Sequence, residues 1–313
     1  MHPITRKLAN ALYSSSVETD NTNDDLTSSG LLKRDRYVAT NRFAVRKGKG
    51  PKFEARWANR KSRLAKLNRF KYFHLMRRVT IDDDNDKIVY DEGDKSDGTN
   101  MGNYVSFTVW DKKSDFSAWR KGEAFKEAHG GTSIGAFMST MISSALILQG
   151  PPRPAFYDGL MVKSVEPVSI PESVDGWRNV VADGKKLLPT ECFVSFNQFF
   201  VPQGNAAAFE QRWANRESKL ESYDGFVSFA MMRRDLGAKG HGIVELSENE
   251  PNYVAATIWE GKSSFDSWRK DSVLNKAHGD TSQEGKTERT LWSKPPEPVF
   301  YEGTLVISTF DGV

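Results

Sequence analysis

Hydrophobic and polar residues alternate along Tyr37–Val45 and again along Phe193–Val201, and each run ends at a glycine-containing turn, so each predicts a strand. A helical spacing follows in both places. Phe53, Trp57 and Leu64 recur with Arg and Lys between them, and Phe209, Trp213 and Leu220 repeat the pattern. Two further strands come next, Tyr72–Arg78 with Tyr104–Trp110 and Phe226–Arg233 with Tyr253–Trp259, the first pair joined by an Asp-rich loop. A second helix then opens near Ser114 or Ser263, read as N-caps. It carries Phe116 and Trp119, or Phe265 and Trp268, on one face and runs to a histidine. Phe156–Val162 and Val299–Ser308 close the two series as strands.

The two series are copies of one another. Phe-Glu-Ala-Arg-Trp-Ala-Asn-Arg at 53–60 recurs as Phe-Glu-Gln-Arg-Trp-Ala-Asn-Arg at 209–216, an offset of 156 that also relates Asn41 to Asn197. The offset becomes 149 for Trp110 and Trp259, Trp119 and Trp268, and His129 and His278, which places an insertion in the first copy's acidic loop. It becomes 144 for the proline-rich stretches at 151–154 and 295–298. The order β-α-β-β-α-β is the split βαβ, ferredoxin-like unit. The fold class is therefore α+β, with two tandem ferredoxin-like domains at 36–163 and 191–313, a linker at 164–190 and a mobile tail at 1–35. One such unit covers a single face of its sheet with helices, so the copies are expected to pack on each other as an intramolecular pseudo-dimer, giving a monomer in solution.

Composition narrows the chemistry. The 313 residues are 38% hydrophobic and 27% charged, as in a soluble globular chain. Ile134–Leu148 is the longest apolar-leaning stretch, and Gly135, Ser139, Thr140, Ser143 and Ser144 interrupt it, so no membrane insertion is expected. Net charge is only +3 and the charges read as interspersed, which argues against nucleic acid. A single cysteine, Cys192, excludes an internal disulfide framework and multi-thiolate metal sites, leaving metal chemistry to histidine. Arg6, Lys7 and Ser14–Ser16 give the N-terminus a faint likeness to an organelle transit segment; the expected location is intracellular, in the cytoplasm or an organelle such as the plastid.

Three repeated residue types are candidates for chemistry. Of five histidines only His129 and His278 fall at matching positions, each followed by Gly. Either could face a helix C-terminus for structural reasons, or serve as an axial ligand to a heme iron. Asn41 and Asn197 lie on mostly apolar strand faces, where an amide must bond a neighbouring backbone or aim into a pocket. Trp110 and Trp259 share a face with small residues (Ser106 and Thr108; Ala255 and Thr257) and could be core indoles or line a cavity.

The segments 108–119 (Thr-Val-Trp-Asp-Lys-Lys-Ser-Asp-Phe-Ser-Ala-Trp), 257–268 (Thr-Ile-Trp-Glu-Gly-Lys-Ser-Ser-Phe-Asp-Ser-Trp) and 124–129 (Ala-Phe-Lys-Glu-Ala-His) resemble the IsdG-type heme-degrading monooxygenases. These belong to the antibiotic biosynthesis monooxygenase (ABM) superfamily, whose fold is the dimeric α+β barrel. The opening segments 40–48 and 196–204 fit the first strand of that family, and the resemblance covers nearly all of 36–163 and 191–309. It implies that His129 and His278 ligate heme iron, that Trp110 and Trp259 press on the porphyrin and ruffle it, and that Asn41 and Asn197 hydrogen-bond near the distal oxygen. Trp57, Arg60, Trp213 and Arg216 would line the pocket, the arginines meeting propionates.

The activity so implied opens the porphyrin and releases iron, with heme as both substrate and cofactor, O2, and an external electron donor. No Gly-rich nucleotide fingerprint stands between a strand and a helix, so a separate reductase or small-molecule reductant is implied. The rivals are a cofactor-independent ABM monooxygenase acting on a phenolic or polyketide-like substrate, and a non-catalytic heme-binding module. The apolar segment Ile134–Leu148 is expected to cover the first site, which favours the second repeat as the competent one.

Overall fold

The computed structural model describes residues 30–59, 64, 67, 69–82, 86–93, 102–128, 144–164, 173–174, 177–178, 192–216, 218–237, 246, 250–279 and 291–308; for 127–128, 162–164, 173–174, 177–178, 272–279 and 305–308 this is the backbone alone. The first unit is β1 (Arg36–Phe43), α1 (Gly50–Ala58), β2 (Phe70–Asp82), β3 (Lys87–Tyr90), β4 (Tyr104–Trp110), α2 (Lys113–Lys121), α3 (Glu123–Ala128) and β5 (Arg153–Ser164). Two short strands follow, β6 (Ser173–Val174) and β7 (Trp177–Arg178). The second unit is β8 (Phe193–Phe199), α4 (Ala206–Asn215), β9 (Phe226–Arg234), β10 (Tyr253–Trp259), α5 (Lys262–Gly279) and β11 (Glu297–Ser308).

Within each unit the strands take the ferredoxin-like order, β2-β4-β1-β5 and β9-β10-β8-β11. The two sheets then join at both edges. β5 pairs antiparallel with β9, and β11 pairs antiparallel with β2, so eight strands form one closed ring. Each seam carries a register shift in the last strand of a unit, between Leu160 and Lys163 and between Gly303 and Leu305. Such bulges add the twist that ring closure requires.

Closure explains the composition of the central strands. All seven residues of β4 and all seven of β10 are buried, because one face meets helices and the other meets the ring interior. Val105, Phe107 and Val109 point inward with Val194, Phe196 and Ile258 of the other unit, and the Phe107 and Phe196 rings meet at 5.9 Å. Tyr104 and Trp110 point outward to the first unit's helices, and Tyr253 and Trp259 to the second's. There are thus two helix-on-sheet cores and one shared interior, the arrangement expected of a pseudo-dimer.

Polar ties reinforce the seams. Arg233 reaches Glu210 of its own unit at 2.9 Å and Asp158 of the other at 3.1 Å. Burial works against its charge, but Glu210 and Asp158 outweigh that and hold the guanidinium above its ordinary pKa. Lys113, at the start of α2, pairs with Asp235 beyond β9 at 2.7 Å; Lys262, at the same place in α5, pairs with Asp86 of the β2–β3 turn at 2.6 Å. Asp235 also accepts from the Tyr37 hydroxyl at 2.9 Å. Burial raises the Asp235 carboxyl, yet Lys113 overcomes it and leaves the group below its usual range.

Several expectations are corrected. Ser114 and Ser263 are not caps: both helices begin one residue earlier, at Lys113 and Lys262, and Lys112, the residue before α2, offers no side-chain bond. The helix to the first histidine is not continuous, because Gly122 adopts an extended conformation (φ −86°, ψ 169°) and divides α2 from α3. The second copy has Asp271 at that position, and α5 runs unbroken. The acidic insertion forms a hairpin, β2–β3, whose Ile81 and Ile88 pack on the second unit's helix core. Residues 1–29 lie outside the described residues, but the end of the expected tail is held: Leu32 N–H donates to Glu210 and Arg34 pairs with Asp158. Among the described residues no helix is long and apolar enough to cross a membrane.

Two outcomes are expected. Arg233→Met leaves the buried Glu210 without its cation and Asp158 with Arg34 alone, and should cost about 3–5 kcal/mol in equilibrium urea unfolding. Asp235→Asn should cost about 1.5–3 kcal/mol at pH 7. Because the folded carboxyl titrates below its unfolded value of about 3.9, that stabilisation is present above roughly pH 4 and fades as pH falls through the folded pKa. The parent and the variant should therefore converge in acid, and a gap that stays constant below pH 4 would count against the ion pair.

Candidate functional site

The outward face of β1 and β4 is the floor beneath the first unit's helices. Register sets Tyr37 opposite Trp110, Ala39 opposite Thr108 and Asn41 opposite Ser106. In the second unit Phe193 faces Trp259, Ser195 faces Thr257 and Asn197 faces Ala255. The asparagine and the tryptophan therefore sit at two ends of one face, four residues or roughly 13 Å apart along the strands. Between them lie small side chains.

Each tryptophan is fully buried, at 1% and 0% exposure, and its indole N–H has no hydrogen-bond partner among the described residues. Trp110 packs against Phe70, Phe116 and Trp119, and Trp259 against Phe226, Phe265 and Trp268, all with ring centroids within 6.3 Å. Asn41 and Asn197 are half-buried, and neither amide bonds another described residue. A different pair does the structural work available to an amide: Asn103 bonds both the N–H and C=O of Val45, and Asn252 both those of Val201. A donor held on an apolar floor without a protein partner costs free energy unless water or a ligand supplies one.

Trp57 and Trp213 project from the first helix of each unit onto the far end of the floor. Trp57 stacks on Phe73 at 5.3 Å and Trp213 on Phe229 at 5.9 Å. Arg216, at the end of α4, lies over the Trp213 ring at 5.1 Å. Arg60 and His129 lie outside the described residues, as does the side chain of His278, whose backbone forms the last turn of α5. Within the described residues the site thus brings together asparagine, tryptophan and the first-helix tryptophan in each unit.

The model of the family described as "Antibiotic biosynthesis monooxygenase" matches residues 193–280. A protein of Staphylococcus saprophyticus subsp. saprophyticus named "Heme oxygenase (staphylobilin-producing)" is 35% identical over 97 residues, covering 31% of this chain and 76% of that protein. The chain belongs to the ABM family. A protein of the same name from Staphylococcus haemolyticus is 34% identical over 95 residues, covering 30% of this chain and 72% of its own. A ferredoxin-fold protein of Listeria monocytogenes, described as related to antibiotic biosynthesis monooxygenases, covers 87% of this chain and 96% of its own at 10% identity and a TM-score of 0.35. That last likeness is too distant to bear on activity. Membership in the ABM family makes the protein an oxidoreductase of the monooxygenase class.

The expected cover over the first unit does not distinguish the sites where it is described. Ile147 and Leu148 are buried in the first helix core, and Gln149 N–H donates to Ala44. The second unit closes the same place with Trp292, which meets Phe199 at 5.7 Å, while Ser293 N–H donates to Phe200. Residues 134–143 lie outside the described residues.

A buried triad under each first helix escaped the pattern reading. The Tyr104 hydroxyl donates to Glu54 at 2.6 Å with Arg77 at 3.5 Å, and the Tyr253 hydroxyl donates to Glu210 at 2.7 Å. Burial and the neighbouring carboxylate push both phenols up, so both stay protonated donors. The signal was present: all three residues recur at the offsets that relate the copies. The triad fixes the helix that carries Trp57 or Trp213.

Because its amide bonds no described residue, Asn197→Ala should shift stability by no more than about 0.5 kcal/mol, whereas Asn252→Ala should cost about 1–3 kcal/mol through the buried groups it leaves unpaired. Thermal unfolding of the two variants side by side measures the contrast.

Proposed function

We propose that the protein is a heme-degrading monooxygenase of the IsdG type, which opens the porphyrin and releases iron. The observation that carries this is the pair of unspent donors, Asn197 Nδ2 and Trp259 Nε1, at either end of a small-residue floor under α5. The relatives named as staphylobilin-producing heme oxygenases support the same reading. A flat, largely apolar ligand with polar periphery fits such a floor: the indoles and phenylalanines supply contact area, and the amide supplies direction.

In this proposal His278, near the end of α5, is the iron ligand of the second site and His129 that of the first, with Arg60 and Arg216 facing the propionates. Heme supplies the oxygen chemistry and is itself consumed, with O2 and electrons from a separate reductase or small reductant. The chain's own part is positional. Trp259 is locked between Phe226, Phe265 and Trp268 and would hold its position against a porphyrin bound beside it. Asn197 places one donor at a stated point of the floor. The unbroken α5, against the break at Gly122 in the first unit, favours the second site as the competent one.

The test is a heme titration followed by visible absorbance on the parent, His129→Ala and His278→Ala, and then ascorbate in air with catalase present. The expected result is a Soret band that His278→Ala loses and His129→Ala largely keeps, followed by bleaching with iron release. Absence of a Soret shift in the parent would instead favour a cofactor-independent ABM monooxygenase acting on a phenolic or polyketide-like substrate. A stable Soret band under reductant and air would leave a heme-binding module.

A further inference from the structure

The modest net charge hides a local excess. Residues 42–71 contain twelve Lys and Arg and a single acid, Glu54, which is buried, whereas the matching residues 198–227 contain three basic and four acidic residues. Charge is therefore not interspersed in the first copy, contrary to the reading from totals alone.

Four of the eight described cations in this stretch lie at one turn. Arg46, Lys47 and Lys49, between β1 and α1, and Lys52, in the first turn of α1, are all exposed. Arg46, Lys49 and Lys52 form no ion pair with a described residue. Gly48, at φ +70°, bends the turn, and a Cβ added there would meet no described atom within 4 Å, so the tip of the turn is open. The corresponding positions of the second copy are Pro202, Gln203, Asn205 and Ala208.

A second asymmetry meets the first in space. The end of the apolar stretch that follows the first histidine runs directly alongside this turn: Arg46 N–H donates to Ile147 at 2.9 Å, Val45 bridges Leu148, and Arg56 donates to Ser144 at 3.0 Å. Leu146 stands between these anchors and is 62% exposed, the most exposed large hydrophobic residue among those described. At its equivalent position the second copy has Thr290.

Cations alone would suit any polyanion, but cations around a protruding leucine match one surface better than others. Acidic headgroups attract the charges, and the leucine enters the boundary between headgroups and acyl chains. Nucleic acid would instead call for exposed rings on which bases stack, and Phe43 and Phe53, the rings nearest in sequence, are buried in the core. We propose that the β1–α1 turn and Leu146 of the first unit dock the protein on the surface of an anionic lipid bilayer, without crossing it. The second unit, lacking both features, faces away from that role.

Co-sedimentation of the full chain with phosphatidylcholine vesicles, with and without phosphatidylglycerol, tests this. The expected result is binding to the phosphatidylglycerol vesicles alone, weakened in salt of roughly 0.5 M. Arg46→Glu with Lys49→Glu should lower the partition coefficient by at least about tenfold, and Leu146→Asp should lower it as well, with thermal midpoints kept near the parent's. No sedimentation with anionic vesicles would overturn the proposal. So would binding that Leu146→Asp leaves untouched, which would reduce the contact to charge alone, without the leucine.

Discussion

A four-stranded sheet with helices on one side has a bare face and two open edges, and this protein removes all of these at once by pairing edge to edge. β5 meets β9 and β2 meets β11, so the bare faces become an interior filled from both copies and no ring strand is left with an open edge. Everything else hangs on that closure. The strands can be apolar on both faces only because both faces are dry, and the outward face can be given to a ligand only because the inward face already secures the fold. The ion pairs that cross the seams carry the same logic to the surface, where Lys113 and Lys262 tie the start of each second helix to the opposite copy.

The division of labour among repeated polar residues separates fold from chemistry. Asn103 and Asn252 satisfy backbone groups, and Glu54 and Glu210 hold the first helices through phenols and guanidinia, with only the Arg77 Nε of the first copy left without a partner among the described residues. Asn41, Asn197, Trp110 and Trp259 have no such engagement among the described residues. Recurrence in the two copies marks both groups equally. What distinguishes them is whether each polar atom already has a partner, which is a property of three-dimensional packing.

Much of the fold was legible because a duplicated chain aligns with itself. Strand limits at Tyr104–Trp110 and Tyr253–Trp259 agree with the structure to the residue, since buried runs bounded by turns leave little freedom. The departures have local causes. The hairpin β2–β3 was hidden in an acidic loop whose few apolar residues, Ile81 and Ile88, gain their meaning from the other copy's core. Intact periodicity on either side of Gly122 predicts one helix, while its backbone freedom decides otherwise. Residue type alone predicts seryl N-caps, but the helices gain an extra residue ahead of them, with Lys262 bonded to Asp266 one turn on. The basic turn was lost in a net charge, a sum that erases position.

Fusion of the two copies has a consequence for how such a protein can change. Two identical chains paired by a two-fold axis must accept every substitution twice, at both sites and on both outer surfaces. Here a glycine can interrupt one helix while its counterpart stays whole, and seven residues can be added to one loop without being added to its counterpart. Covalent linkage releases the halves from symmetry, so that one can keep the demanding chemistry while the other is free to become a platform.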